Sequence, residues 1–161
     1  MTPELVAHQM GLDLPDFDRD GYYGAEYGTM KPYHLVGNLL FLSGHVAQVG
    51  TEITHKGRLG DTLTTAQGYA AARQTGVNVL GGIRQALGSL DRVKGIVRTL
   101  NFVVCTAGYE DVHLVWRIQG PSGAVLVKAA SSWVMASAGV FHPGVLRGRS
   151  FRSFAMWLRS R

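Results

Sequence analysis

His45 and its neighbours form the first group of residues in this sequence that could carry chemistry. The histidine follows Ser43 and Gly44, where an apolar run typical of a strand stops. Functional side chains often lie on the loops that follow strands, so a site could form at this point. A half-exposed histidine at the start of a loop is the more common alternative, because most single histidines have no functional role.

Several classes of site are not predicted. The six histidines contain no HxH or HxxxH pair, and the one cysteine adds no spacing typical of a zinc site. Ser43 lacks the GxSxG surroundings of a hydrolase nucleophile, and the glycines form no phosphate-binding loop. We therefore expect neither a metal nor a cofactor.

Cys105 is the second candidate for chemistry. Its thiol could be a nucleophile, although a lone cysteine at the end of an apolar strand is more often a packing residue. A single cysteine cannot form an internal disulfide, which favours a reducing, cytoplasmic setting. The acidic N-terminal stretch is unlike a secretory signal, and no apolar run reaches the ~18–20 residues of a membrane span.

The basic segment 145–161, VLRGRSFRSFAMWLRSR, contains five arginines, three aromatic residues and no acid. Arginines interleaved with aromatic rings could contact phosphates and stack on bases of a single-stranded nucleic acid. At helical spacing the same residues would suit an anionic membrane surface. A solvated basic end is the more common outcome, so nucleic acid is a weakly supported partner and no membrane partner is expected.

Charge changes abruptly along the chain, whose net charge is +5. All eleven acidic residues lie at or before Asp111, together with nine lysines and arginines. From Val112 to Arg161 there are six arginines, one lysine, three tryptophans and no acid. Such an asymmetry indicates a basic tail, a nucleic-acid surface, or a segment unrelated to the fold before it.

The elements that must position the candidates begin with a helix near Pro3–Met10, followed by a surface arm. His34–Val36 and Leu39–Leu42 are predicted to pair as a hairpin across Gly37-Asn38, a dipeptide that tolerates positive φ. The polar, glycine-bearing stretch at 51–61 is predicted to be a loop.

A long helix is the clearest predicted element. Thr64 and Gln67 have the spacing of a capping box at its start, and Gly88 suits its end. A turn at Leu90–Val93 then leads to a central strand at 95–105. Three glycines weaken the helix by about 1 kcal/mol each and favour close packing against a sheet: Gly76, Gly81 and Gly82. Further on, residues 110–120 suggest a short helix, and 123–141 one or two strands.

The stretch from Pro32 to about Tyr109 resembles the RidA/YjgF family, also labelled L-PSP endoribonucleases. The resemblance rests on Pro32-Tyr33, on GNLLFLSGHV (37–46) and on AQGYAAARQTGVNVLGGIRQALGSLDRVKGIVRTLNFV (66–103). These segments cover roughly half of the chain in the family's order. The MGLDLP arm and the spacing from GRLGD to GYAAAR are similar to the larger YjgF-like branch.

The resemblance implies an α+β, chorismate-mutase-like fold, in which a mixed β-sheet is packed on one face by two helices. We expect one domain over residues 1–161, with an N-terminal arm at 1–30 and an atypical basic segment at 112–161. The resemblance also implies a homotrimer with clefts between subunits. A sheet face that no helix covers can be buried by partner subunits in this way.

Family activity is hydrolytic deamination of reactive enamines and imines of amino-acid metabolism, and some members are reported to cleave RNA. In the family site, an arginine of an Ala-Arg-Ser motif grips the substrate carboxylate, and a late glutamate positions water. The resemblance places Tyr33, Ser43 and Gly44 at cleft-lining positions. The complete set of expected substrate-binding residues is Tyr33, Ser43, Gly44, His45, Cys105 and Lys128.

The chain departs from the family pattern in its last third. Spacing places the family arginine near 127–131, where the chain reads VKAAS and Lys128 is the nearest cation. A lysine is a point charge rather than a planar fork. The family glutamate has no counterpart, because no acid follows Asp111. Arg149-Ser150 imitates the missing motif, but the eleven residues that follow leave little length for a final strand.

Both losses coincide with the break in charge. We therefore hypothesise that residues after about Val112–Val115 derive from a shifted reading frame, natural or introduced in sequencing. A frame shift in a GC-rich gene would add arginine, serine and tryptophan and remove the acids together. The alternative is a family member whose C-terminus has diverged away from catalysis.

The sequence thus predicts a family-type deaminase whose activity is impaired by the missing arginine and glutamate. The first alternative is a non-catalytic trimer that binds small carboxylates or acts as an interaction protein. The second is a protein that binds or cleaves RNA.

Overall fold

The computed structural model describes residues 1–22 and 30–115, and beyond them the backbone of four strands between residues 117 and 160. Its described helices are α1 (Pro3–Gln9), α2 (Phe17–Asp20), α3 (Thr65–Leu87) and α4 (Val112–Val115), and Leu90–Arg92 forms a 3-10 turn. Its described strands are β1 (Tyr33–Val36), β2 (Leu39–Leu42), β3 (Gln48–Val49), β4 (Glu52–Ile53), β5 (Val93–Phe102), β6 (Arg117–Gln119), β7 (Val125–Lys128), β8 (Ser132–Trp133) and β9 (Phe154–Ser160).

Five strands form one sheet in the order β1-β2-β9-β5-β8. Neighbouring strands are antiparallel except β5 and β8, which are parallel, so the sheet is mixed. Helix α3 packs on one face of this sheet, and the short α4 contacts α3. This arrangement is the predicted α+β organisation. Two further two-stranded sheets pair β3 with β4 and β6 with β7.

The main core lies between β2 and α3. Leu40 and Leu42 of the strand pack with Val79, Ile83 and Leu87 of the helix, and Leu40 has no exposed surface. Full burial of one such side chain contributes about 1.5–3 kcal/mol. The alternation of half-buried and buried residues along β2 is typical of a strand with one face against a core.

The hairpin and the long helix are confirmed. β1 pairs with β2 as predicted, beginning one residue earlier at Tyr33, and Gly37 in the turn has a φ of 57°. Both bonds of the capping box between Thr64 and Gln67 are present at the start of α3. Gly88 ends the helix in the left-handed conformation, with a φ of 79°.

The N-terminal arm is more deeply packed than predicted. Helix α1 is confirmed, but the arm after it is not confined to the surface, because Leu14 and Tyr22 are each only 8% exposed. An Arg84 guanidinium nitrogen of α3 donates to the Leu14 carbonyl at 2.9 Å. Asp18 of α2 accepts a hydrogen bond from Gln85 at 2.8 Å. The arm is therefore attached to the outer side of α3.

Two other element boundaries differ from the prediction. Part of the expected loop at 51–61 is strand β4, which pairs with β3 in a short hairpin. The central strand begins at Val93 and ends at Phe102, earlier at both ends than predicted. Its central position is confirmed, since β9 and β8 flank it.

The chain end contributes a strand to the middle of the sheet. Strand β9, Phe154–Ser160, lies between β2 and β5 and pairs with both. The eleven residues after Ser150 were expected to leave little length for a final strand, yet seven of them form β9. The predicted helix at 110–120 is four residues long and is followed by β6, and the predicted strands at 123–141 include β7 and β8.

Within the described ranges, no helix is both long enough and apolar enough to cross a membrane.

Candidate functional site

Ser43 and Gly44 follow the last residue of β2, beside the start of β1. Strand pairing sets Tyr33 opposite the residue before Ser43. The Ser43 amide donates to the Pro32 carbonyl at 2.9 Å, and the Ser43 hydroxyl donates to the Lys31 carbonyl. Tyr33, Ser43 and Gly44 are all half-buried. We call these three residues the strand-end corner.

His45 lies beneath this corner and is only 1% exposed. The alternative of a half-exposed histidine is therefore wrong. Its Nδ1 lies 2.8 Å from the Ser43 carbonyl oxygen, which can only accept, so Nδ1 carries the proton. Burial lowers the pKa of His45 to about 4, which keeps the imidazole neutral at pH 7. Its ring is held in the interior, where it supports the backbone of the corner.

Two aromatic residues of the N-terminal arm enclose His45. The ring centroids of Phe17 and Tyr22 lie 5.8 and 5.6 Å from that of the imidazole, and 5.8 Å from each other in a T-shaped arrangement. The Tyr22 hydroxyl donates to the Gly44 carbonyl at 2.8 Å. Neither residue was predicted to belong to the site, since the only signal for them in the sequence is an aromatic side chain within a polar arm.

Cys105 lies in a second buried cluster. Its side chain is fully buried with Leu59, Leu63, Val112 and Val115. Burial raises the pKa of the thiol, and the positive charge of nearby Arg58 opposes that rise. These surroundings favour the protonated thiol, a weak nucleophile, and agree with a packing role.

The cluster around His45 and the cluster around Cys105 lie at the same end of the sheet, where β2 and β5 both finish. β2 and β5 are both antiparallel to β9, which lies between them, so β2 and β5 run in the same direction. Ser43 follows β2, and Cys105 comes three residues after Phe102, where β5 ends. The segment around Leu59 lies at this same end of the sheet, because the Leu59 amide donates to the Val104 carbonyl at 3.1 Å.

Lys128 is the last residue of β7, which pairs with β6 in a separate two-stranded sheet. Its side chain lies outside the described part of the chain, so its place in the substrate site stays a prediction. Arg149 and Ser150, which imitate the family motif, also lie outside the described residues. Among the residues whose side chains are described, no three histidine, cysteine or acidic residues are grouped to hold a metal ion.

The sequence pattern of a family described as "YjgF/chorismate mutase-like, putative endoribonuclease" matches residues 4–113. This match covers more than two thirds of the 161 residues, including both strands of the corner and all of α3. The chain belongs to the YjgF/chorismate mutase-like family. The family match ends close to Asp111, the last acid.

One relative of this YjgF-family chain is "Protein TCP17" of Trypanosoma cruzi, 38% identical over 83 residues. The matched stretch makes up 52% of each protein, so the chain matches about half of that relative's length.

Two solved structures share the fold. A "putative endoribonuclease" from Shewanella oneidensis MR-1 has a TM-score of 0.74 at 23% identity, with 99% of each chain covered. The protein Atu1372 of Agrobacterium tumefaciens, described as of unknown function, has a TM-score of 0.71 at 20% identity, with 98% of this chain and 93% of that chain covered. Both agree with the chorismate-mutase-like fold.

The frame-shift hypothesis predicts what the gene encodes near the codons for Val112–Val115. Restoring the frame there should give an Ala-Arg-Ser motif and a late Glu-x-Glu motif. Intact-mass measurement of the purified protein identifies which of the two sequences is made. A restored frame without either motif would contradict the hypothesis and leave divergence of the C-terminus as the explanation.

Proposed function

We propose that this YjgF-family chain hydrolyses reactive enamines and imines derived from amino acids. We expect a slow rate, because the family arginine and glutamate have no counterpart after Asp111. One observation carries the proposal: within the family match, strand pairing brings Tyr33 to Ser43 and Gly44, the positions that the resemblance assigns to the cleft. Half-buried polar groups at a strand end can contact a small ligand while excluding part of the solvent.

The reaction needs only water as a second reactant. Water adds to the carbon of the C=N bond, and the nitrogen takes up a proton. The C–N bond of the resulting carbinolamine then breaks, releasing ammonia and a carbonyl compound. An enamine first takes up a proton at carbon to give the imine. A protein accelerates these steps by binding the carboxylate, orienting the C=N bond and positioning water.

The chain can supply the binding part of this chemistry. The Ser43 proton is directed to the Lys31 carbonyl, so its oxygen keeps acceptor capacity for a substrate N–H. Lys128, the nearest cation to the family arginine by spacing, is proposed to pair with the carboxylate. Because the sequence has no acid after Asp111, that part of the chain has no residue for the water-positioning role of the family glutamate. We therefore expect binding with slow turnover.

The test is hydrolysis of an imine that an amino-acid oxidase generates in situ. The protein should shorten the imine lifetime relative to buffer. Lys128→Ala should raise KM about tenfold or more, because a charge-assisted hydrogen bond contributes about 1.5–3 kcal/mol. Lys94→Ala, which removes an exposed lysine of β5, is the matched control and should leave KM unchanged.

Binding of a small carboxylate without any imine hydrolysis would contradict the deaminase proposal. It would favour the non-catalytic alternative, which the absence of acids after Asp111 supports. An unchanged KM in Lys128→Ala would remove that lysine from the site.

Self-association is also proposed. Val36 and Leu39 are register partners, as are His34 and Phe41, so these four residues share the sheet face opposite the buried Leu40. Val36 is 54% exposed, and Leu39 and Phe41 are half-buried. An apolar sheet face of this kind is suited to burial between subunits of a homotrimer. Light scattering at several concentrations measures the assembly state.

An RNA-directed role is the remaining candidate, favoured by the arginines of residues 145–161. Removing that segment would also remove β9 from the centre of the sheet. The suitable variant therefore neutralises only the arginines before β9: Arg147, Arg149 and Arg152. RNA affinity with a steep salt dependence that this variant loses would favour the RNA role.

A further inference from the structure

The carbonyls of two successive residues at the strand-end corner are held from the interior by two different side chains. His45 Nδ1 donates to the Ser43 carbonyl at 2.8 Å. The Tyr22 hydroxyl donates to the Gly44 carbonyl at 2.8 Å. Each peptide unit is planar and trans, so fixing the direction of its carbonyl fixes the orientation of the whole unit. The two donors together therefore set both peptide planes around Gly44.

The two donors are themselves fixed by packing. Tyr22 is 8% exposed and His45 is 1% exposed. Phe17 contacts both rings, and the T-shaped arrangement of Phe17 and Tyr22 is the favourable geometry of an aromatic pair. On the other side of His45 lies α3, so close at Gly82 that an added Cβ would be 2.7 Å from the imidazole Nε2.

The arm that carries Phe17 and Tyr22 is anchored independently of the corner. Asp16 caps α2 by accepting from the amides of Asp18 and Arg19, both at 3.1 Å. Pro15 lies against α3 at Gly81, where an added Cβ would be 2.6 Å from the proline Cγ. The arm thus connects the outer side of α3 to the carboxyl end of β2.

We infer that Tyr22 and His45 are positioning residues for the candidate site, and that residues 14–22 of the N-terminal arm are a component of this site. Tyr22 acts from a distant part of the sequence on the backbone of Gly44, while His45 acts on Ser43. This role rests on the proposed function insofar as the strand-end corner binds substrate. The orientation of the two peptides is a structural property that can be measured separately.

Tyr22→Phe tests the inference because it removes the hydroxyl and keeps the ring that packs on Phe17 and His45. Loss of this partly buried hydrogen bond should speed amide hydrogen exchange of the segment 41–48 by about 2- to 10-fold. Exchange of α3 peptides should stay unchanged. The matched control is Tyr69→Phe, which removes a hydroxyl from a tyrosine of α3 that is 53% exposed.

A second pair of variants tests His45. Asparagine at this position offers an amide donor close to the place of Nδ1, whereas leucine offers none. His45→Asn should therefore keep more protection in the segment 41–48 than His45→Leu. Equal protection in the two variants would overturn the role of His45. If Tyr22→Phe left exchange unchanged, or raised it equally throughout the chain, the positioning role of Tyr22 would be wrong.

Imine hydrolysis gives the functional readout. With an active wild-type protein, Tyr22→Phe should raise KM about 2- to 10-fold while Tyr69→Phe leaves it unchanged. Unchanged KM with faster exchange would show that the corner is not the substrate site, which overturns the inference. A wild-type protein that hydrolyses no imine contradicts the proposed function alone. The exchange measurements still decide whether Tyr22 and His45 orient the corner.

Discussion

Acidification from pH 7 to pH 4 should cost this protein roughly 3 kcal/mol of folding stability through His45 alone. Burial lowers the pKa of His45 from 6.5 to about 4 in the folded chain. Between pH 6.5 and pH 4, His45 is protonated in most unfolded chains but neutral in most folded ones. The contribution of His45 to folding stability is therefore fully present above about pH 6.5 and is lost as the pH falls toward 4.

The surroundings of His45 explain why protonation is unfavourable there. Phe17 and Tyr22 cover the ring, α3 approaches it at Gly82, and the hydrogen bond to the Ser43 carbonyl only partly offsets the burial. An imidazolium in this space would lose most of its hydration, and this loss is the largest cause of the lowered pKa.

His45→Asn provides the comparison for the pH measurement. This variant keeps a donor for Ser43 and does not titrate, so its free energy of unfolding should fall less between pH 7 and pH 4. Urea unfolding at several pH values measures the difference, which should be roughly 3 kcal/mol. Parallel loss of stability in the two proteins would show that other groups cause the acid sensitivity.

The hairpin and the long helix were predictable because their signals are local. Gly37-Asn38 between two apolar runs specifies a tight turn, and the capping pair Thr64 and Gln67 specifies where α3 begins. Each of these signals lies within a few residues of the structure it determines. The same locality explains why Gly88 marked the end of the helix correctly.

The interior of the candidate site was not predictable in this way. The burial of His45 depends on Phe17 and Tyr22, which are more than twenty residues away in the sequence. The position of β9 depends on pairing with β2 and β5, and its arginine-rich surroundings gave no strand signal. Such contacts form only in the folded chain, so the arm was interpreted as surface and the chain end as a segment outside the fold.

The glycines of α3 show how far the helix pattern alone could go. The three glycines named in the sequence indicated close packing against a sheet, but their surroundings in the structure differ. Gly82 faces His45 just after β2, Gly81 faces Pro15 of the arm, and an added Cβ at Gly76 would meet nothing within 4 Å. Only the folded arrangement distinguishes a glycine that is required from one that is replaceable.

Replacing Gly82 by alanine should therefore destabilise the protein, although alanine is the better helix former by about 1 kcal/mol. The new methyl group would lie 2.7 Å from the imidazole Nε2 and 3.1 Å from its Cε1. The ring cannot swing away because it is packed on two aromatic side chains and bound to Ser43. Overpacking costs about 1–3 kcal/mol, and a 2.7 Å contact with a ring that cannot move belongs to the upper part of that range, about 2–3 kcal/mol. After the gain of about 1 kcal/mol in helix propensity, we expect a net loss of about 1–2 kcal/mol.

Gly76→Ala is the matched control in the same helix. It gains helix propensity without a clash, so it should stabilise the protein by about 0.5–1 kcal/mol. The two variants should then differ by about 1.5–3 kcal/mol, which corresponds to a separation of roughly 3–12 °C in Tm for a chain of this size. Thermal and urea unfolding of both variants measure the difference. If Gly82→Ala were as stable as Gly76→Ala, the contact between α3 and His45 would be wrong, and with it the rigid support of the strand-end corner.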